Sequence, residues 1–154
     1  HLPDTLRQFV QQIFPIPDSI PPDADVVGHT LLEKRVALVG ALHRAGVIVL
    51  PGTDAPLRNS PPGFGLHEEL AQFARAGLSP FDVLRAATLE PARYFGMLDS
   101  LGTIAPGKLA DLVLLDANPL ADVGNARRIS AVVANGRLIE APAREALLRG
   151  ASGR

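Results

Sequence analysis

Gly46-Val47-Ile48-Val49-Leu50-Pro51-Gly52-Thr53-Asp54-Ala55 is the stretch on which the reading of this chain turns. The apolar run from Val47 to Leu50 is dominated by β-branched side chains, which are stiff and pack well on a pleated surface, so it reads as a strand. An uninterrupted apolar run fits a parallel strand covered on both faces, where a half-exposed strand would alternate. Gly52 then turns the chain, and Asp54 is presented just past the strand's C-terminal end. In barrel enzymes that end is where chemistry is done, which makes Asp54 the first candidate for a reactive group. Taken alone, Gly-Thr-Asp is also ordinary turn chemistry, with Thr53 supporting the bend.

Upstream, Thr30-Leu31-Leu32-Glu33 has the form of a capping box. Leu32, Val36, Val39 and Leu42 follow at helical spacing, and Gly46 supplies a helix stop. A helix running directly into a buried strand is an α/β unit. Residues 1–29 read as an irregular segment. Leu6, Phe9, Val10 and Ile13 allow one short helix over 2–13, but Pro15, Pro17, Pro21 and Pro22 forbid a regular element after it.

Downstream, Ala55 to Leu66 is a Pro/Gly-rich loop, followed by a helix with Leu66, Leu70, Phe73 and Ala74 on one face that ends at Gly77. Ser79-Pro80-Phe81-Asp82 predicts another helix, with Ser79 as N-cap, Pro80 in the first position and Asp82 closing a capping box. A third short helix starts at Thr88 and stops at Gly96. From Leu101 the period changes to that of strands. Ala105-Pro106-Gly107-Lys108 suits a type II turn, and strands are expected over Leu109–Asp116, Ile129–Ala134 and Arg137–Glu140. Asn135-Gly136 is a strong two-residue hairpin signal. A helix over 142–148 closes the chain. A hairpin by itself is not stable, so these strands need further cover.

Composition permits a core, with 47% hydrophobic and 20% charged residues. A net charge of −1 leaves no electrostatic footprint for nucleic acid or an anionic membrane. The basic pairs Lys34-Arg35 and Arg127-Arg128 read as solvated faces. No apolar run reaches the roughly 18 residues a membrane span requires. The chain has no cysteine, which removes disulfides and thiolate ligands. A cytoplasmic location is expected, with a secreted or periplasmic one left open because a leader could precede His1.

The apolar run ending in Gly52-Thr53-Asp54, taken with Leu101-Gly102-Thr103-Ile104-Ala105-Pro106-Gly107-Lys108-Leu109-Ala110-Asp111 and its continuation to Asp116, resembles the C-terminal part of a metal-dependent amidohydrolase of the imidazolonepropionase-like and prolidase-like branch. The resemblance covers Leu31 to Glu140, and its motifs are specific as a set. It implies an α/β fold: the last part of a (β/α)8 barrel with its closing helices over 30–100, half of a small β-sandwich over 101–141, and a C-terminal helix and tail over 142–154. At 154 residues the chain is short of the roughly 250 of a complete barrel. The family's His-x-His pair is not present, since His1, His29, His43 and His67 stand far apart, so a missing N-terminal part of the same protein is expected to supply it.

The resemblance implies a hydrolase that cleaves an amide-type C–N bond of a small molecule by metal-activated water. The bond would lie in a dipeptide ending in proline, an N-acyl amino acid or a cyclic amide. The cofactor would be a divalent metal, zinc by type, as one or two ions, in an enzyme that forms a homo-oligomer. Asp54 alone matches the family's aspartate on the last barrel strand, which binds metal and takes the water's proton. His67 stands where the family often has a histidine followed by Glu-Leu, and is expected at the substrate pocket and not on the metal. Lying near a helix N-terminus, it should favour the neutral form. Arg58, and with it Asn59, could meet a substrate carboxylate or carbonyl.

Blander readings stand beside these. His67 could be a partly exposed helix-start residue, His43 a helix-end residue, and His29 a capping residue beside Gly28. Asp111, Asp116 and Asp122 follow no ligand loop, and Gly107-Lys108 matches a phosphate loop in two letters only. Two alternatives remain at the level of function. One is a deaminase using the same site. The other is a non-catalytic structural or interaction module, supported by the lack of other metal ligands and opposed by the half-sandwich it would leave open.

Overall fold

The computed structural model of the chain describes residues 24–55 and 63–151, together with Gln8 and Gln12. Gln8 and Gln12 are helical, within the stretch where a short helix is expected. The remainder of 1–23 and residues 56–62 and 152–154 lie outside the described residues.

Helix α1 spans Ala24–Arg44, so it begins well before Thr30. Thr30 and Glu33 lie inside it and do not cap it, and 24–29 is not irregular as expected. Once a helix is nucleated, each added residue contributes a hydrogen bond, and Gly28 opposes this by only about 1 kcal/mol. The expected stripe is observed: Leu32, Val36, Val39 and Leu42 are half-buried while Val26, Val27 and Leu38 are exposed. The helix ends in a Schellman motif at Gly46, whose φ is +80°. The Gly46 amide donates to the His43 carbonyl and the Val47 amide to that of Leu42.

Residues 47–54 are neither helical nor part of a sheet among the described residues. This corrects the expectation of a fully buried strand. Val47 is 46% and Ile48 60% exposed, and only Val49 packs against the core. A parallel strand is buried by neighbours on both edges and by helices on both faces. Here one side alone is covered.

The chain resumes with α2 (Phe64–Arg75), α3 (Pro80–Ala87) and α4 (Leu89–Tyr94). Ser79 caps α3 as expected: its hydroxyl accepts from the Asp82 amide at 3.2 Å and donates to the Asp82 carboxylate at 2.5 Å. Thr88 does not cap α4. Its hydroxyl instead donates to the Leu84 carbonyl at 2.7 Å, closing α3 behind it. The core forms where α2 and α3 meet, from Leu70, Phe73, Ala76, Leu78, Val83 and Ala86, and Val36 and Val39 of α1 lie against it. Gly40 lets α1 approach, because a Cβ there would sit 2.3 Å from the Ala76 carbonyl oxygen.

The β region is a three-stranded antiparallel sheet in the order β1 (Leu112–Leu115), β2 (Ile129–Ala134), β3 (Arg137–Glu140). β1 is shorter than Leu109–Asp116 because its flanks bond elsewhere. The Leu109 amide donates to the Ser100 carbonyl and the Gly136 amide to that of Ala110. Asn135 (φ 49°) and Gly136 (φ 76°) make the hairpin turn with both residues left-handed, as a type I′ turn demands. Val113, Val132 and Ile139 share one face and Leu112, Val133 and Leu138 the other. Both faces are therefore apolar and partly open, with Val113 55% exposed on one and Leu114 (47%) and Leu138 (55%) exposed on the other.

This region does not pack apart from the helices. The 3₁₀ helix Val123–Arg127 between β1 and β2 sinks Val123 into the same core as Leu70 and Val83. Helix α5 (Ala141–Ala151) closes the chain against β2 and β3. No described helix is long and apolar enough to cross a membrane.

Candidate active site

Asp54 lies just past the 47–50 run, as expected, and it is exposed. Its φ of 48° puts it in the left-handed region, which Asp and Asn tolerate better than most residues. Thr53 supports the bend by accepting the Ala55 amide at 3.2 Å. The turn thus carries an exposed carboxylate, with no ion pair among the described residues. Among the described residues, Asp54 is also the sole ligand candidate at this turn. No group of three or more His, Asp or Glu among the described residues can hold a metal ion. A cation here would need donors from outside the described residues.

His67 lies in the first turns of α2 and is half-buried. Burial pushes its imidazole below the ordinary histidine value of 6.5, Arg127 acts in the same direction, and Glu68 opposes both. The neutral form is therefore favoured, as expected, though the causes are burial and a guanidinium from the β region. No described hydrogen bond or ion pair joins His67 to Asp54. Arg58 and Asn59 lie outside the described residues. His29 sits inside α1 and is exposed, not at a loop boundary.

A cavity of about 200 Å³ lies elsewhere, between His43, Val47, Val49, Asp82, Arg85 and Glu90. It includes none of Thr53, Asp54 and His67, and it is smaller than the roughly 300–1,000 Å³ of ordinary ligand sites. Its carboxylates are engaged, while the Arg85 Nε is buried without a hydrogen-bond partner among the described residues. Glu90 is buried and accepts from Arg85 at 2.6 Å and from Arg93. Asp82 is held by Ser79 and lies 3.9 Å from His43. A buried carboxylate must be paired to be tolerated, so this cluster reads as structural. It escaped the sequence reading, whose only trace of it was the Glu90–Arg93 spacing on one helix.

The 101–116 motif is structural too. The Lys108 ammonium donates to the Leu98 carbonyl (2.6 Å), the Leu101 carbonyl (3.3 Å) and the Thr103 hydroxyl (2.5 Å). All three of its protons are engaged, which leaves none for a phosphate. Asp111 accepts the Asn135 amide at 2.5 Å and Asp122 the Gly124 amide at 2.8 Å. Lys108 and Asp111 therefore tie the loop before β1 to the segment after α4 and to the hairpin turn.

The amidohydrolase family model matches residues 15–139, and the chain belongs to that family. Adenine deaminase 2 of Rhizobium meliloti (strain 1021) is 43% identical over 111 residues, which is 72% of this chain and 18% of that protein. A Xaa-Pro dipeptidase solved with methionine in its active site matches with a TM-score of 0.64 and 27% identity, over 89% of this chain and 33% of its own. Molinate hydrolase matches with a TM-score of 0.61 and 32% identity, over 66% and 25% respectively. The chain thus spans between 18% and 33% of these relatives. Family membership, these neighbours and the mixed helix–strand architecture fit an α/β barrel hydrolase.

Proposed function

We propose that this chain forms the C-terminal part of a metal-dependent amidohydrolase that cleaves an amide-type C–N bond of a small substrate. In this reading residues 47–50 are the last barrel strand, and the β sheet is half of a sandwich completed by an N-terminal part of the same protein. Asp54 is both a metal ligand and the general base. One observation carries the proposal: an exposed carboxylate on a left-handed turn at the tip of an apolar run, inside the region matched by the family model. Strained backbone of this kind clusters at functional sites. A divalent cation, zinc by type, would supply an activated water. The Asp54 carboxylate would accept that water's proton, and His67, presented neutral, would contact the substrate. The enzyme would be a cytoplasmic homo-oligomer.

A deaminase at the same site is the second reading, favoured by the identity to adenine deaminase 2. Attack of activated water on an amidine carbon releases ammonia, whereas amide cleavage leaves an amine and a carboxylate. The deciding experiment uses the full-length protein with Xaa-Pro dipeptides, N-acyl amino acids, cyclic amides and adenine. We expect turnover that is lost on chelation and restored by zinc, with a carboxylate among the products. Ammonia from adenine alone would select the deaminase. Turnover indifferent to complete metal removal would sink both readings.

A further inference from the structure

One hydrogen bond joins the two residues that flank Asp54. The Ala55 amide donates to the Thr53 hydroxyl at 3.2 Å, and among the described residues this amide has no other acceptor. Thr53 and Ala55 are both half-buried, while Asp54 between them is exposed. The contact closes a ring that contains both backbone torsions of Asp54, so it restrains the residue it spans. One of those torsions is the left-handed φ of 48°, which an L-residue rarely holds unless its surroundings impose it. A hydroxyl that accepts from the amide two residues on is the local means by which Ser and Thr fix a turn. Thr adds stiffness, since its β-branch restricts χ1.

We propose that Thr53 is a positioning residue for Asp54: by accepting the Ala55 amide, its hydroxyl holds the left-handed turn and so fixes where the carboxylate stands. The inference rests on the reading of Asp54 as the reacting carboxylate. An aspartate side chain has only two torsions, so its backbone largely decides where its oxygens can reach. Misplacing a group by about 1 Å can cost on the order of 10²-fold in rate. An exposed turn, by contrast, contributes little to the stability of a whole protein. The Thr53 hydroxyl is therefore expected to matter to turnover and not to folding.

The test compares the full-length protein with its variants Thr53→Val, Thr53→Ser and Asp54→Asn, and with Thr53→Val and Asp54→Asn combined. Val keeps the branched shape of Thr and removes the acceptor. Ser keeps the acceptor and removes the methyl group. For each protein kcat, KM and the melting temperature are measured, with the affinity for zinc alone. The exchange rate of the Ala55 amide, followed by NMR, reports on the turn independently of any activity.

We expect the Ala55 amide to exchange slowly in wild type and Thr53→Ser, and faster in Thr53→Val. In Thr53→Val, kcat and zinc affinity should each fall by roughly 10–100-fold, as when a group that orients a metal ligand is lost. KM and the melting temperature should change little, and Thr53→Ser should recover most of both losses. The combined variant should be no slower than Asp54→Asn, because the turn then has no carboxylate to position. Wild-type kcat in Thr53→Val overturns the proposal, as does a combined variant clearly slower than Asp54→Asn. A Thr53→Ser protein no better than Thr53→Val also overturns it, as does a loss of kcat that tracks a loss of melting temperature. Should Thr53→Val fail to fold, an Ala55 amide that exchanges freely in wild type overturns it equally. Full activity in Asp54→Asn is a separate result, which removes the reading of Asp54 and the inference with it.

Discussion

At Asp54 two demands meet in one residue, and Asp is among the few side chains that satisfy both. The backbone there is left-handed, at φ 48°, a region that costs most L-residues about 1–2 kcal/mol and that Asn and Asp visit with least penalty. The proposed role as general base would require in addition that the side chain be a carboxylate. Asn keeps the first property and loses the second, so Asp54→Asn separates turn from chemistry. In the full-length enzyme we expect this variant to fold with an unchanged melting temperature. Its turnover should fall by at least the roughly 10²–10⁴-fold that general-base catalysis contributes, and further if metal occupancy drops. Full activity in that variant would remove Asp54 from the mechanism. Asp54→Ala is the poorer probe, because it adds backbone strain to the loss of the carboxylate.

Among the elements, the contact between α1 and the turn after α2 is the tightest. Gly40 faces the Ala76 carbonyl with no room for a Cβ, which would lie 2.3 Å from that oxygen. The obstacle is backbone and cannot swing aside. Gly40→Ala should therefore push α1 outward despite the better helix propensity of alanine. Overpacking of this type costs about 1–3 kcal/mol, and a lowered denaturation midpoint would show it. A variant more stable than wild type would mean that propensity outweighs the clash. At the other end of the same interface, Ser79 and Pro80 begin α3 as their local chemistry dictates, because an N-cap needs only its own next three residues.

On the scale of the molecule, one core is shared. Val123 joins Leu70, Phe73 and Val83, and the Arg127–Glu68 pair closes the rim, so the β region is tied to α2 through its 3₁₀ helix. The sheet itself remains less protected, with Val113 and Leu138 each 55% exposed on opposite faces. Hydrogen exchange on the 154-residue chain should show β2, paired on both edges, as the slowest strand, with β3 exchanging faster on its unpaired edge. Uniformly strong protection of all three strands would mean that the sheet is complete without further partners. That result would count against the half-sandwich.

What the sequence alone determined is what short-range chemistry controls. The Gly46 and Gly77 helix stops, the Ser79 cap, the Asn135-Gly136 hairpin and the spans of β2 and β3 each depend on a few adjacent residues, and each is legible. Asp54 and the support from Thr53 belong to the same class, being local turn geometry. The start of α1 was misjudged because helix extension past Gly28 is cooperative and leaves no local signal. Tertiary structure alone decided the rest. Glu90 is neutralised by arginines on either side of it, Lys108 spends its ammonium on three acceptors, and Arg127 pairs with Glu68 from 59 positions away. Charges find partners through space, and no local signal marks which pairs will form. The 47–50 run shows the converse. Its β character is written in its side chains, but burial of a strand is a property of its neighbours.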